Sequence, residues 1–200
     1  CVDSYGMITV TFLDSTKIEG TFSFNNNCGK NSLDVTEGEF KCFFDEDDNS
    51  YATVAIGNQI WMQKNLNVSK YSNGDDIPEV TDAAEWSNLT TGAWCYYENN
   101  TANGTIYGKL YNWYALNDPR GLAPDGFHIP SDAEWTNLIT FLGGEDVAGG
   151  KMKATTGWTL PNFGATNSSG FTALPGGCRL DNGTFQSIDT SGFWWSSSIV

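Results

Sequence analysis

The sequence predicts an α+β fold: one main helix over about 131–142, short antiparallel strands and much ordered loop. Three observations carry this. Ser131 and Glu134 have the S-x-x-E spacing of a capping box, and Trp135, Leu138, Ile139 and Leu142 follow at i, i+3, i+4 and i+7 as one apolar helical stripe. Residues 1–44 alternate apolar and polar with the period of half-buried strands. Residues 67–106, rich in Asn, Thr, Asp and Gly, read as long loops with short strands.

In chain order, Ile8, Val10 and Phe12 form one strand face, and Ile18, Phe22 and Phe24 another, with Gly20 in register. Phe40, Cys42 and Phe44 form a third. Asp14-Ser15-Thr16, Asn25-Asn26-Asn27 and Glu37-Gly38 are the turns. The domain expectation is a small antiparallel β unit over 1–44, too short for a core of its own, followed by a main domain over 45–200. Asp45-Glu46-Asp47-Asp48-Asn49 reads as a solvated turn. Its carboxylates suit Ca²⁺, but it lacks the Gly and Glu spacing of an EF-hand loop. Tyr51–Ile56 and Gln59–Met62 flank Gly57-Asn58 as a hairpin. Asp82–Trp86 gives a helical turn, Trp94–Tyr97 a strand and Tyr111–Asn117 a second helix. Pro130 precedes the main helix, Gly143-Gly144 ends it, and loops with short β pieces follow Ala148. Leu174-Pro175-Gly176-Gly177 reads as a turn.

Composition narrows the function. Lys plus Arg number 10 and Asp plus Glu 24, a net charge of −14, which repels phosphate backbones and anionic lipid surfaces. Nucleic acid is therefore excluded as a partner. No apolar run approaches the ~20 residues of a membrane span. The single His, His128, excludes multi-histidine metal sites within the chain. Set between Phe127 and Ile129, it reads as a buried loop anchor rather than a base. No G-x-S-x-G elbow or phosphate loop occurs, and 24 acids make any one carboxylate pair uninformative for glycosidase chemistry. The expectation is a chain without catalytic residues and without a cofactor, Ca²⁺ staying open. Aromatics cluster at Trp94-Tyr96-Tyr97, at Tyr107-Tyr111-Trp113-Tyr114 and at Trp194-Trp195. Such residues build the core of a loop-rich fold or stack on sugar rings.

A chain that starts at Cys1 reads as a mature bacterial lipoprotein, the thiol acylated and the acyl chains buried in a bilayer. The alternative is a boundary that happens to fall at a cysteine. With Cys1 set aside, Cys28, Cys42, Cys95 and Cys178 remain. They allow three pairings, of which 28–42 with 95–178 is the simplest, and export makes disulfides plausible. The competing reading is buried free thiols.

A set of ordered segments resembles the Fibrobacter succinogenes major paralogous domain, a family abundant in secreted and surface proteins of Bacteroidetes and Fibrobacteres. They are Tyr51–Met62 with Asn65-Leu66, Gly92–Tyr97, Tyr107–Tyr114, Leu122–Trp135, Gly170–Gly177, Arg179 and Trp194–Ser197. The resemblance runs from Asp45 to the C-terminus, about three quarters of the chain. It implies a C-type-lectin-like fold of the branch related to formylglycine-generating enzymes, with His128–Trp135 opening the main helix. The related oxidase uses a late Cys pair; here only Cys178 stands there. Where Cys178 stands the family usually has an aromatic residue, so a 95–178 bridge would be particular to this chain. The family also continues past the position of Val200 into a strand that pairs back into the sheet. The expectation is a longer natural protein, or a partner segment that completes the sheet.

Together these readings give a non-catalytic binding module on a lipid-anchored protein of the outer membrane, the cell surface or the extracellular space. It would present loops to a glycan or a protein. The rival expectations are an accessory subunit of an outer-membrane or extracellular assembly, and an oxidase relative. The first residues for a ligand platform are Trp158, Asn162, Arg179, Asp181 and Trp194. Arg179 has the alternative of a buried pairing role after the Pro-Gly-Gly turn.

Overall fold

The computed structural model describes residues 7–13, 17–23 and 38–198 and has the α+β character expected. Five strands open the chain: β1 (Met7–Leu13), β2 (Lys17–Ser23), β3 (Gly38–Phe44), β4 (Ser50–Ile56) and β5 (Gln59–Met62). They form one antiparallel meander in the order β1-β2-β3-β4-β5. The boundary expected at 44/45 falls in the β3–β4 turn. Cys42, Phe43 and Phe44 pair with Ala52, Tyr51 and Ser50, so the early strands continue into the same antiparallel sheet as β4 and β5. Strands too few to bury a core gain by joining a larger sheet. A register shift between Val10 and Phe12 interrupts the strict alternation expected over β1. Phe24, the turns at 14–16 and 25–27, Cys1 and Cys28 lie outside the described residues, as does the Cys42 side chain.

The acidic turn after β3 is a turn, but Asp45 is not solvated. It is only 9% exposed. Its Oδ1 accepts from the backbone N–H groups of Asp47 and Asn49, each at 2.9 Å, and its Oδ2 accepts the Tyr51 hydroxyl proton at 2.6 Å. Asp47 Oδ2 accepts from the Ser69 N–H and, at 2.7 Å, from the Ser69 hydroxyl. Asp45 and Asp47 therefore hold the turn's own backbone, Tyr51 and the loop at 67–69, while Glu46 and Asp48 are exposed as expected. The β4–β5 hairpin turns at Gly57-Asn58. Gly57 has φ +64°, and a Cβ there would lie 3.0 Å from the Phe141 ring.

Beyond the hairpin come α1 (Ala83–Ser87), β6 (Trp94–Cys95), a 3₁₀ turn at Tyr97–Asn99, α2 (Thr101–Tyr107), β7 (Leu110–Tyr111) and α3 (Trp113–Leu116). Then follow α4 (Asp132–Phe141), α5 (Glu145–Met152), β8 (Gly176–Arg179) and β9 (Phe185–Ile188). Asp82 caps α1 through a 2.8 Å bond from Glu85 N–H. The expected capping box is formed in full at Ser131 and Glu134 and starts α4. Three expectations are corrected. The strand at Trp94–Tyr97 stops at Cys95 and gives way to the 3₁₀ turn. Gly176-Gly177 belong to β8 rather than to a turn, and α2 and α5 occupy stretches read as loop.

Three apolar clusters hold these pieces. Ile56, Trp61, Leu138, Leu142, Met152 and Phe171 join the hairpin to α4 and α5. Val68, Tyr71, Ile77, Trp94, Tyr111 and Leu122 gather the long loops, and Val80, Trp86, Ala93 and Cys95 form the smallest cluster. Among the described residues no helix is long and apolar enough to cross a membrane.

Arg120 ties the loops together. Its Nε and Nη2 donate to Asp118, each at 2.8 Å, its Nη1 donates to Asp75 at 3.1 Å, and its guanidinium lies 4.0 Å from the Tyr71 ring centroid. The side-chain hydrogen bonds from Arg120 hold the Asp118 carboxyl down to about 2. A carboxylate depressed below its unfolded value of ~3.9 stabilises the fold fully above that value and loses the contribution as pH falls through the folded one. Asp118→Asn is therefore expected to lower the urea midpoint at pH 7. Its deficit against wild type should close between about pH 4 and the folded value of about 2.

Candidate functional site

The described residues form a groove of about 1070 Å³. It is lined by the unbroken run Asn58–Leu66, which is β5 with its extension, by Gly176–Asp181 of β8 and its turn, and by Phe193–Trp195. Residues of all three apolar clusters reach it: Trp61 and Phe171, Tyr111 and Leu122, and Trp86. Polar groups stand among them, including Gln59, Gln63, Lys64, Asn65, His128 and Glu134.

The aromatic rim is built by backbone contacts. Gly192 permits it: a Cβ there would come within 2.4 Å of the Trp194 ring. Trp194 donates its Nε1–H to Asn65 Oδ1 at 3.0 Å and meets Phe171 edge-on at 6.0 Å, yet stays 37% exposed. Trp195 donates to the Tyr111 carbonyl and accepts from Trp135 Nε1 at its own carbonyl, both at 3.0 Å. This pins residues 194–195 across the groove while leaving both rings open to solvent.

The sequence-derived candidates divide. Arg179, Asp181 and Trp194 line the groove, whereas Trp158 and Asn162 do not. Trp158 packs on the cluster around Trp61 and donates to the Ala173 carbonyl at 3.1 Å; Asn162 donates to the Ala154 carbonyl at 3.0 Å. Arg179 has the pairing role that was its alternative. Nη1 donates to Val80 O at 2.6 Å, Nη2 to Thr81 O at 3.0 Å and Nε to Gly183 O at 3.1 Å. Its guanidinium also lies 4.4 Å from the Trp86 ring and 4.9 Å from Phe185. Asp181 is exposed and accepts from the Asn182 N–H at 2.8 Å.

His128 is corrected from buried to exposed. Its side chain is 70% accessible and its Nε2 pairs with Glu134 Oε1 at 2.7 Å. The adjoining Pro130 and the capped start of α4 hold Glu134, and the imidazole extends outward to meet it. Hydrogen bonds from the Ser131 backbone and hydroxyl, and then from His128, keep the Glu134 carboxyl below its usual range.

Cys95 and Cys178 are free thiols in this structure, so the 95–178 bridge is not formed. The pleat explains it. Arg179 pairs with Phe185 and Cys178 with Gln186 across β8–β9, and successive residues face opposite sides of a strand. Phe185 packs against the cluster holding Cys95, so the neighbouring Cys178 is turned away. Burial pushes the Cys95 thiol up to about 11, partly offset by a hydrogen bond from Arg179, and burial also raises the Cys178 thiol.

Sequence reasoning missed Trp61, Lys64 and Lys109 as groove residues. Lys109 Nζ donates to the Asn67 carbonyl at 2.7 Å and sits 4.5 Å from the Trp94 ring centroid; burial lowers its ammonium pKa. The alternation of Gln59, Trp61 and Gln63 against Ile60 and Met62 was the available signal for an edge strand whose flank could be open. Among the described residues, no three His, Cys, Asp or Glu side chains converge as a metal site.

The family model of the Fibrobacter succinogenes major domain matches residues 54–199, from the middle of β4 to the C-terminal segment. Comparison with curated proteins and with solved structures returns no match.

Proposed function

Because the chain belongs to the Fibrobacter succinogenes major domain family, we propose that it is a non-catalytic binding module. It is exported and surface-exposed, and it holds a glycan or protein ligand in the aromatic groove on a C-type-lectin-like scaffold. The observation that carries this reading is the groove itself. A volume of about 1070 Å³ falls at the upper end of ordinary ligand sites, and its walls mix aromatic faces with amide side chains. Trp194, held by the Asn65 side chain, and Trp195, held by the Tyr111 carbonyl, offer exposed ring faces, as stacking on sugars or packing against an apolar segment requires.

Catalysis fits these residues poorly. Nucleophilic thiols need depressed pKa values, and both Cys95 and Cys178 are shifted upward by burial. His128 pairs with the helix-capping Glu134 and with no hydroxyl or thiol. At pH 7 Cys95 is expected to react with iodoacetamide only on unfolding, which mass spectrometry of labelled peptides checks.

The second reading, an accessory subunit of a surface assembly, draws on the outer flank of β5, which among the described residues is the last strand of its sheet. A glycan array and pull-downs from native membranes, each with wild type and Trp194→Ala, test the proposal. Binding lost in Trp194→Ala supports it, and no binder in either assay sinks it.

A further inference from the structure

We infer that Lys109 and Asn67 are the reactants of an intramolecular isopeptide bond, in which the lysine ε-nitrogen joins the asparagine side-chain carbonyl carbon and ammonia leaves. Lys109 Nζ donates to the Asn67 main-chain carbonyl at 2.7 Å and lies 3.4 Å from Asn67 Oδ1. One N–H keeps the main-chain bond while a small side-chain rotation turns the nitrogen lone pair onto Cγ, within the ~3–3.5 Å from which such bonds form. The backbones of both partners are held in place. Gly108 lets the two segments approach, since a Cβ there would lie 2.9 Å from the Leu66 carbonyl. Lys109 N–H donates to that carbonyl at 3.4 Å, and Asn67 N–H donates to the Tyr51 hydroxyl oxygen at 3.0 Å.

The surroundings suit the chemistry. An amine attacks only when unprotonated. Lys109 is half-buried, its Nζ 4.5 Å from the Trp94 ring centroid and 5.7 Å from that of Tyr96. That burial lowers its ammonium pKa, against the opposing pull of Asp47, Asp45 and Glu79. Among the described residues no carboxylate stands within ion-pair distance to fix it as the cation. Asp45 spends both oxygens on Asp47, Asn49 and Tyr51. Asp47 uses Oδ2 for Ser69, and its Oδ1 accepts no hydrogen bond among the described residues. Asp47 is therefore the proton carrier, acting through one water.

The step balances without an oxidant, a metal or a cofactor. Asp47 takes a proton from the Lys109 ammonium. The neutral Nζ attacks Asn67 Cγ, and the carbonyl electron pair moves to Oδ1. As that pair returns, the Cγ–Nδ2 bond breaks, and protons shed by Nζ pass through Asp47 to the departing nitrogen. The products are a secondary amide and an ammonium ion. Asn67 is only half-buried and its Nδ2 donates no hydrogen bond among the described residues, so the leaving nitrogen reaches solvent. The bond closes a loop between residues 42 apart in sequence. With Cys95 and Cys178 free, it braces the long loops covalently in a form that reductants do not break.

The test is mass spectrometry of the full chain, read on preparations that melt cooperatively. The expected mass is one ammonia, about 17 Da, below that of the sequence. In a tryptic digest residues 65–70 should be found joined to residues 71–120, with no cleavage after Lys109. Lys109→Arg keeps the charge and Asn67→Ala keeps the main-chain carbonyl. Each should restore the full mass and lower the melting midpoint by about 10 °C. Asp47→Asn should leave most of the freshly purified chain unlinked. An undiminished mass with cleavage after Lys109 overturns the inference. So does a loss of ammonia that persists in Lys109→Arg, which assigns it to cyclisation at an Asn-Gly pair such as Asn182-Gly183. Complete linkage in Asp47→Asn overturns the role given to Asp47.

Discussion

Arg179→Ala is expected to lower the unfolding free energy by about 3 kcal/mol, read as a shift of the urea midpoint. Three backbone carbonyls, those of Val80, Thr81 and Gly183, receive their hydrogen bonds from this one guanidinium. Bonds from a charged donor contribute roughly 1.5–3 kcal/mol each, but two of these are part-buried and one is exposed, so water replaces much of the lost bonding and the net falls well below the sum. Contacts with Trp86 and Phe185 add cation–π stabilisation of order 0.5–1 kcal/mol. Arg179→Lys should recover only a fraction, because an ammonium cannot span three carbonyls in one plane. If Arg179 instead served chiefly to hold a ligand, Arg179→Ala would keep wild-type stability and lose binding alone.

The second large effect is expected at Asp45. Asp45→Ala removes the acceptor of the Asp47 and Asn49 N–H groups, of the Asn49 side-chain amide at 2.8 Å and of the Tyr51 hydroxyl at 2.6 Å. Tyr51 is 1% exposed, so its hydroxyl proton would lose its acceptor with no water to replace it, while the oxygen keeps the Asn67 N–H. A loss of about 3 kcal/mol follows from one buried and several part-buried bonds. Burial, then the hydrogen bond to Asp45, raises the Tyr51 hydroxyl pKa well above its ordinary value, so it remains a donor throughout the working pH range. Tyr51→Phe alone should cost about 1–2 kcal/mol. The double variant should cost less than the sum, with a coupling energy of at least ~0.5 kcal/mol in a thermal or urea cycle.

Elements with a local chemical signature were legible in the sequence. The Ser131–Glu134 box and its apolar stripe gave α4 to within a residue or two, and Gly57-Asn58 gave the hairpin. α5 was not legible, because it carries Gly149 and Gly150 and shows no apolar stripe. It exists through tertiary contact: a Cβ on Gly150 would strike the Gly164 carbonyl at 2.4 Å, so the helix packs backbone to backbone. α2 is likewise secured by its Asn100 cap and by the Tyr96 ring lying where a Gly104 Cβ would be. Both are cases in which packing overrides weak propensity. The site was half legible. Trp194 stood out as one of a Trp pair in a polar context, but nothing local separates it from Trp158, whose indole is turned inward to Ala173. Trp61 and Lys64 join the groove because β5 ends the sheet, a property of topology. The 95–178 pairing was what remained after Cys28 was set with Cys42, and such elimination carries nothing of pleat parity: Cys178 and Arg179 face opposite ways, and the cluster holding Cys95 is on the Arg179 side.

The most direct test of the groove as the binding site is ¹⁹F NMR of the chain labelled with 5-fluorotryptophan. Its eight Trp would be assigned by single replacements and titrated with the binders that the glycan array or the pull-down yields. Binding in the groove shifts the Trp61 and Trp194 resonances and leaves Trp158, which does not line it, unchanged. A shift at Trp158 with Trp61 and Trp194 unmoved would contradict the account.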